Sequence, residues 1–401
     1  MRGETVVCFA KDWSEDPTSC NHVMRQLAAK NRVIWLNSIS TRAPSLTSGR
    51  DLRKIATKLT AFFRGPIQVE HNLWVFTPLL LPLHDNALAT RLNRWILRLT
   101  VRVLQRKLAF QDFQLWTFVP TSSDYVGALG EKLLVYYCTD NWSSFSFADP
   151  LRSEERMRDL ATKADLVFAT SETLVEKLRG CNEHAYLASH GVDYGEFSRA
   201  TAAETVVPDD IAQLPRPVIG YFGLVEDWLD VDLVSRLAVR HPEWSIVLIG
   251  RVCVDVSSLE KLTNVHFLGR KPHHLLPAYC KAFSVGLIPH KVNDLTRHMN
   301  PIKLREYLSA GVPVVSTALP AVRHYSEHCR IAETHEEFER AVADVLESET
   351  HQSRTARSES MASETWERKV DELTRHVAEA KGRRVQTGSC GGHLREPAAS
   401  M

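Results

Sequence analysis

The sequence lacks several patterns that would identify common classes of protein. No run of 18 uncharged apolar residues occurs among its 401 residues, so we expect no transmembrane helix. Gly-x-Gly-x-x-Gly and Gly-x-x-x-x-Gly-Lys-Ser/Thr are both absent, which disfavours a dinucleotide site and a P-loop. None of the eight cysteines forms a Cys-x-x-Cys pair, so we expect neither a structural zinc site nor a disulfide framework.

The N-terminal segment also lacks the layout of a signal peptide. Lys11, Asp12, Glu15 and Asp16 interrupt any apolar stretch there. Together with the unpaired cysteines, this predicts a cytoplasmic protein.

Charge is distributed unevenly along the chain. The whole sequence carries +1, but residues 1–110 contain 17 Lys or Arg against 7 Asp or Glu, a balance of +10. The remaining residues therefore carry −9. This asymmetry indicates that only the first part of the chain meets an anionic partner.

Apolar strands alternate with amphipathic helices in two separate series, which predicts an α/β protein with two parallel sheets. A chain of this length suits two domains better than one core. The predicted divisions are an N-terminal domain at 1–198, a linker at 199–215, a C-terminal domain at 216–350, a helix at 351–381 and a disordered tail at 382–401.

One segment, residues 300–317, combines helix signals with well-placed charges. Asn300 suits the N-cap, Pro301 the first helical position and Gly311 the C-terminal stop, and a buried strand is predicted at 312–315. The free N–H groups of the first turn attract phosphate, and Lys303 adds a positive charge there. Glu306, one turn further, is placed to accept hydrogen bonds from a ribose. An ordinary Lys–Glu surface pair is the alternative.

This segment resembles the nucleotide-sugar-binding helix of the GT-B glycosyltransferases of family 4, in particular those of teichuronic-acid and exopolysaccharide biosynthesis. Glu306 takes the position of the second family glutamate, whereas His298 occupies the first. Residues 299–303 resemble a Met-x-x-x-Lys variant of the motif. The resemblance implies two Rossmann-like doubly wound domains facing across a cleft, with the donor on the second domain. It also implies a UDP- or GDP-linked sugar as co-substrate, with no cofactor and no metal.

Three further residues are candidates for the donor site. Gly223, at the end of the first strand of the second domain, would let the backbone approach a diphosphate closely. Residues 264–272 resemble the family segment that holds the nucleobase, which implies that Arg270 flanks the base. His290 follows another strand end near the expected donor. A plain turn at Gly223 and a structural histidine at 290 are the alternatives.

Asp140 is the candidate catalytic residue on the acceptor side, because it follows a buried strand at the expected cleft edge. Its alternative role is to cap the Asp-Asn turn. Thr18, Ser19 and His22, with Asp12, are candidates for acceptor or diphosphate contacts, since the resembling family has a substrate loop at this place.

Residues 91–107 predict a basic amphipathic helix, with arginines at 94, 98, 102 and 106 beside apolar residues such as Trp95 and Leu99. A second such stretch runs from residue 50 to residue 64. Both are typical of attachment to an anionic membrane surface. A solvated basic face on a core helix is the alternative, and no nucleic-acid-binding module accompanies the charges, so no nucleic-acid partner is expected.

The leading hypothesis is a cytoplasmic glycosyltransferase, peripherally associated with the inner membrane face. It would move a sugar from a nucleotide-diphosphate sugar to a lipid-linked or polysaccharide acceptor of the cell envelope. Two alternatives stay open: a nucleotide-sugar epimerase or sugar-phosphate phosphorylase on the same scaffold, and a degenerate GT-B subunit that binds a nucleotide sugar or a partner.

Overall fold

The computed structural model describes residues 1–38, 49–83, 86–146 and 148–390, with the backbone alone at 49–56 and 385–390. Two sheets dominate it, one formed by residues 5–187 and the other by residues 218–332. The α/β fold class expected from the sequence is confirmed.

The first sheet has eight strands in the order β3-β4-β2-β1-β5-β6-β7-β8. All neighbours are parallel except β3 and β4, which pair antiparallel. The strands are β1 (Thr5–Phe9), β2 (Arg32–Leu36), β3 (Ile67–Glu70), β4 (Leu73–Phe76), β5 (Gln114–Thr117), β6 (Leu133–Cys138), β7 (Leu166–Ala169) and β8 (Ala185–Leu187).

The second sheet has six strands in the order β11-β10-β9-β12-β13-β14, and every neighbouring pair is parallel. The strands are β9 (Val218–Phe222), β10 (Ser245–Ile249), β11 (Val265–Gly269), β12 (Val285–Ile288), β13 (Val314–Thr317) and β14 (Cys329–Ala332). The strand order reverses between β9 and β12, and ligands of doubly wound sheets bind at such a switch point.

Helices cover both faces of each sheet. They are α1 (Ser19–Ala28), α2 (Gly49–Arg64), α3 (Ala87–Lys107), α4 (Pro150–Lys163), α5 (Glu172–Arg179), α6 (Tyr194–Phe197), α7 (Asp209–Ala212), α8 (Val231–Arg240), α9 (Ser257–Glu260), α10 (Leu276–Ala282), α11 (Asp294–Arg297), α12 (Ile302–Ser309), α13 (His335–Ser348), α14 (His351–Ser360) and α15 (Trp366–Cys390).

The central strands are apolar throughout because both of their faces are buried. In β1, Val7 and Phe9 enter one core cluster, while Val6 and Cys8 enter the cluster on the opposite face. The second sheet has the same arrangement, with Ile219 on one side and Val218 on the other. Continuous hydrophobic runs are typical of parallel sheets covered on both sides.

The chain crosses between the two sheets twice, and the two crossings lie side by side. Val192 of the first crossing forms a parallel bridge with Thr365 of the second. Gly191 lies so close that a Cβ there would be 2.6 Å from the backbone of Trp366. Any larger residue at position 191 would force the crossings apart.

The C-terminal segment differs from its prediction. The single helix expected at 351–381 is two helices, α14 and α15, and α15 continues through Cys390 where a disordered tail was expected from residue 382. Its apolar side, with Trp366, Val370, Leu373 and Val377, packs into the core of the first sheet, and Arg384 extends the contact by donating to Asp165. Residues 391–401 of the expected tail lie outside the described residues.

Two local predictions also need correction. Pro301 is the N-cap residue of α12, not its first helical residue, and Asn300 does not cap the helix. Instead, the Asn300 amide donates to the carbonyl oxygen of Thr170 on the first domain. The expected linker at 199–215 is not wholly irregular, because α7 lies within it.

Candidate functional site

The side chain of Lys303 projects from the first turn of α12 to the ends of β9 and β12. Its Nζ donates to Tyr221 Oη at 3.1 Å and lies 4.4 Å from the centroid of the same ring. His290 Nε2 is 3.5 Å from Nζ on the other side. A Cβ built on Gly223 would lie 3.1 Å from Nζ, so the ammonium rests against the backbone of that glycine. Lys303, His290 and Gly223, predicted separately, thus form one cluster at the switch point of the sheet.

His290 acts in this cluster as a neutral base. Burial lowers the pKa of His290 well below its ordinary value, and the charge of Lys303 lowers it further. A neutral imidazole can direct a lone pair at the ammonium without repelling it. Its Nδ1 is buried and has no partner among the described residues.

Two glycine backbones meet beside the ammonium. Gly223 follows β9 and Gly250 follows β10, with φ angles of +131° and +152°. A Cβ on Gly250 would lie 1.8 Å from the carbonyl oxygen of Gly223. Only glycine fits at both positions. The resulting bare backbone next to a cation is the environment that a diphosphate requires.

Glu306 lies one turn beyond Lys303 on α12 and is buried. Its Oε1 is 2.8 Å from Nε2 of His273, which follows β11. Burial alone would lower the pKa of His273, but the hydrogen bond and the charge of Glu306 outweigh it, so the pKa lies above its ordinary value. When His273 is protonated, the two side chains form a charge-assisted pair.

His22 is placed beside this pair, where the two domains meet. Its ring stacks on Trp366 with centroids 4.9 Å apart and lies 5.9 Å from the ring of His273. Burial lowers the pKa of His22 to about 3, with a further contribution from His273. His22 is thus a neutral, packed side chain of the domain interface, and contact with a substrate at this position stays a prediction.

Asp140 follows β6 and is half-buried at the edge of the first sheet. Burial raises the pKa of its carboxyl above the ordinary value, while a hydrogen bond from Thr139 opposes this shift. A carboxylate with a raised pKa is a better proton acceptor near neutral pH than an exposed one. The alternative role of capping the next turn is not seen, because the side chain of Asn141, not Asp140, bonds within that turn.

The strand ends of the two sheets face one another and touch. The amide of Asn141 and the hydroxyl of Ser144, beyond β6, both donate to Oδ2 of Asp294 on α11, at 3.2 and 2.5 Å. Beyond β7, the hydroxyl of Ser171 donates to the carbonyl oxygen of His298 at 2.7 Å. The cleft thus holds Asp140 and α12 on opposite sides.

The remaining predicted residues have structural partners. Arg270 pairs with Asp16 of the first domain, Nε to Oδ1 at 2.9 Å, and its contact with a nucleobase stays a prediction. Thr18 is the N-cap of α1 and Ser19 its first residue. Asp12 accepts hydrogen bonds from the backbone and hydroxyl of Ser38 at 2.9 and 2.8 Å. The exposed Arg270–Asp16 ion pair therefore links the loop before α1 to the second domain.

Sequence reasoning missed Tyr221, Gly250 and His273. The glycine-flanked position of Tyr221 was visible, but its contact with Lys303 joins residues 82 positions apart.

Asp230 and Asp232 have the spacing of a metal-binding Asp-x-Asp pair, yet Asp230 caps α8 through a bond from Leu233 N and pairs with His335. Among the described residues, no group of three or more His, Cys, Asp or Glu side chains could hold a metal ion.

Comparison with known proteins finds a family match over the second sheet. Residues 216–348 match the model described as glycosyl transferases group 1. Over 206 residues the chain is 29% identical to the putative teichuronic acid biosynthesis glycosyltransferase TuaH of Bacillus subtilis (strain 168). This match spans 47% of the present chain and only 51% of the relative.

Solved structures resemble the whole chain. Sucrose-phosphate synthase from Thermosynechococcus elongatus superposes with a TM-score of 0.69 at 12% identity, over 95% of this chain and all of that one. Anabaena Alr3699/HepE in complex with UDP gives 0.63 at 13% identity, over 94% and 100%. The trehalose 6-phosphate synthase of Burkholderia multivorans gives 0.64 at 13% identity, over 96% and 100%. These likenesses establish the GT-B fold and confirm that expectation.

Proposed function

We propose, from the premise that residues 216–348 form a group 1 glycosyl transferase domain within a GT-B fold, that this protein is a glycosyltransferase. It moves a sugar from a nucleotide-diphosphate sugar to a lipid-linked or polysaccharide acceptor at the cytoplasmic membrane face. The acceptor oxygen bonds to the anomeric carbon as the bond from that carbon to the phosphate oxygen breaks. The acceptor proton passes to a base, and the nucleoside diphosphate leaves.

The arrangement of Lys303 carries this proposal. Its ammonium is held by Tyr221 and His290 against the bare backbone of Gly223. A fixed cation at that position stabilises the negative charge that develops on a leaving diphosphate. Among the nucleotides we favour UDP, because HepE, which shares the fold, has been solved with UDP and with UDP-glucose.

Asp140 is the group we assign to the acceptor. It lies across the cleft from α12, at the end of β6, and burial raises its pKa. We infer that its carboxylate accepts the acceptor proton or orients the hydroxyl for attack.

His298 takes the place of a family glutamate, and its Nδ1 bonds to the carbonyl oxygen of Asp294 at 2.7 Å.

The outer face of α3 supports membrane attachment on the acceptor side. Five of its apolar side chains are exposed in one line: Leu88, Leu92, Trp95, Leu99 and Val103. Spacings of three and four residues place them on the same side of the helix. We define these five residues as the α3 apolar line. An exposed apolar surface of this kind on a helix marks an interaction site.

Basic residues flank the α3 apolar line, although fewer than the sequence indicated. Arg94 and Arg98 donate to the carbonyl oxygens of Asp124 and Ala128, so they help to hold a loop of the first domain. Arg91, Arg102 and Arg106 are exposed and have no partner among the described residues. The cations suit the anionic headgroups of a membrane leaflet, and the apolar line suits its acyl region. We propose an anionic membrane leaflet as the partner of this surface.

A second part of the same surface lies on α2. Phe63 is 80% exposed, whereas its neighbour Phe62 packs against Phe76 in the core. The stretch therefore contributes Phe63 and, in part, Leu59 to the outer surface. Among the described residues, no helix has the length and the hydropathy needed to cross a bilayer.

His298 favours one second candidate, a subunit that binds the nucleotide sugar without transferring it. A histidine cannot accept hydrogen bonds from sugar hydroxyls with two oxygens as a glutamate does. Measuring UDP release from UDP-glucose and other UDP-sugars, with and without bacterial membranes as the acceptor source, separates the candidates. Acceptor-dependent release supports transfer, release without acceptor supports hydrolysis or another reaction of the donor alone, and binding without release supports the subunit.

Two aspartate variants sharpen that assay. Asp140→Asn should abolish acceptor-dependent release while leaving UDP binding intact. Asp159→Asn, at a half-exposed carboxylate on α4 that pairs with Lys163 in the same helix, is the matched control and should keep wild-type turnover. Equal activity of both variants would contradict the role assigned to Asp140.

A further inference from the structure

A cavity of about 270 Å³ lies between the domains, beside the two crossings, and is separate from the Lys303 cluster. Thr173 and Leu187 of the first domain line one side, and Asn300 and Tyr325 of the second line the other. Ser189 and Glu364 come from the crossings themselves. We call this the hinge cavity. Neither Asp140, Lys303 nor Glu306 lines it.

A buried guanidinium reaches the hinge cavity with one donor unused. Arg305 is 2% exposed, its Nη1 donates to Oδ1 of Asn300 at 2.8 Å, and its guanidinium lies 4.8 Å from the ring centroid of Tyr325. Its Nε has no hydrogen-bond partner among the described residues. The carboxylate of Glu364 is 3.9 Å away, which is too far for a hydrogen bond. A buried donor without a partner is costly, and the guanidinium that carries it lines the cavity.

The charges around the hinge cavity exclude an anionic occupant. Glu172, Glu176 and Glu364 line it against Arg305 and Lys369, and Lys369 already pairs with Glu364 at 3.1 Å. A phosphate or carboxylate would meet a surplus of negative charge. The same carboxylates accept hydrogen bonds well, while the Arg305 guanidinium and the hydroxyl of Ser189 donate them.

We propose that the hinge cavity binds one ring of a neutral saccharide, independently of the nucleotide-sugar site. Hydroxyls of a sugar both donate and accept, so a single ring can bond to the Arg305 guanidinium and to the free carboxylate oxygens together. The cavity is smaller than the roughly 300 to 1,000 Å³ of pockets for drug-sized ligands, which suits one ring. Tyr325 and Leu187 supply the apolar contact that the ring faces require.

The occupant touches both domains and both crossings, so it favours the present separation of the domains over an open one. Arg305 also directly precedes Glu306 on α12. Saccharide in the hinge cavity is therefore placed to influence the donor site without entering it.

The test uses saturation-transfer difference NMR on the full chain with glucose, galactose, mannose and N-acetylglucosamine in the absence of nucleotide. At least one of these sugars should give transfer from the wild-type protein. Ser189→Tyr should abolish it, because Ser189 is a half-buried lining residue whose hydroxyl has no partner among the described residues, and a tyrosine there fills the space. Glu176→Ala, at the exposed rim, should weaken the signal without affecting folding.

Two controls keep this result separate from the proposed transferase function. Ser235→Tyr makes the same change at a half-buried position on α8, far from the cavity, and should retain the signal. Lys303→Ala should also retain it, since the donor site is not involved. No transfer from any of the four sugars, or transfer that survives both Ser189→Tyr and Glu176→Ala, would overturn the proposal, whatever UDP binding shows.

Discussion

His273 Nε2 lies 2.8 Å from Oε1 of Glu306, so the carboxylate that α12 presents for a ribose is paired with a histidine. The pairing residue comes from the loop after β11, on the far side of the donor position. We infer that His273 positions the buried Glu306 side chain and neutralises its negative charge. One carboxylate oxygen then stays available to a ribose hydroxyl.

The His273–Glu306 pair should make stability depend on pH. Because the pKa of His273 is raised, its contribution is fully present below about pH 6.5 and is lost as the pH rises through the raised pKa. His273→Gln should therefore lower the unfolding free energy by about 1 to 3 kcal/mol near pH 6, and by less near pH 9. Urea denaturation at the two pH values measures this difference.

The matched control is His324→Gln. His324 faces Glu172 at 3.4 Å, but both side chains are more than half exposed. Exposed pairs contribute little, so this variant should change stability by less than about 1 kcal/mol at either pH. A His273→Gln effect that is equal at both pH values would contradict a protonated His273.

The lowered pKa of His22 predicts that the protein loses stability in acid. Burial lowers the pKa of His22 to about 3, whereas the unfolded chain takes up the proton near pH 6.5. The unfolding free energy should fall as the pH drops from about 6.5 towards 3, since the unfolded state binds the proton first. His22→Phe removes this proton and keeps a ring against Trp366, so its acid limb should be shallower than that of the wild type. His71→Phe, at an exposed turn, should leave the slope unchanged.

Alanine should be tolerated less well at Gly250, which packs on Gly223 beside Lys303, than at Gly269, which has open space around it. Gly250→Ala places a Cβ 1.8 Å from the carbonyl oxygen of Gly223, in addition to a φ of +152°. Gly269→Ala has only the strain of φ +66°, with open space around it, and should cost about 1 to 2 kcal/mol. Gly250→Ala should cost more and should also weaken UDP binding. Chemical denaturation measures the loss of stability, and calorimetric titration measures UDP binding. Equal losses in Gly250→Ala and Gly269→Ala would count against a diphosphate site at the packed backbones of Gly223 and Gly250.

Membrane attachment through the α3 apolar line predicts binding to vesicles. The wild-type chain should float with vesicles that contain phosphatidylglycerol and less with phosphatidylcholine alone. Replacing Trp95 and Leu99 together by alanine should reduce binding at least about tenfold, because each exposed side chain contributes over 1 kcal/mol on burial. Arg102→Glu with Arg106→Glu should lose about 1 kcal/mol per charge and show a weaker salt dependence.

Leu151→Ala provides the control for that experiment. Leu151 is 86% exposed on α4, away from the α3 apolar line, and its loss should leave flotation unchanged. Flotation of the Trp95/Leu99 variant at the wild-type level would contradict the proposed membrane face.

Local sequence patterns predicted the segments in which short-range physics decides the conformation. Gly311 adopts φ +70° after α12, as its C-terminal position predicted, and residues 312–315 are buried. The cluster of Lys303 with Gly223 and His290 could be anticipated because the carboxyl ends of parallel strands meet at one edge of a sheet. Family resemblance added the nucleotide-sugar assignment.

Contacts between the domains could not be predicted in the same way. Asn300 suits a helix cap by local rules, yet it bonds to Thr170 because the first domain lies against it. Arg270 meets Asp16 across 254 positions of the chain. Residues 382–390 continue a helix whose earlier turns are buried against the first sheet. The composition of the tail alone does not predict this continuation.

The most direct test of the donor site is a thermal-shift titration of the wild-type chain with UDP, with GDP and ADP in parallel. We expect UDP to raise the melting temperature, Lys303→Ala to remove most of this shift, and Lys291→Ala, an exposed lysine on the loop beyond β12, to retain it. The same UDP shift in Lys303→Ala and wild type, or no shift with any of the three nucleotides at millimolar concentration, would contradict the account.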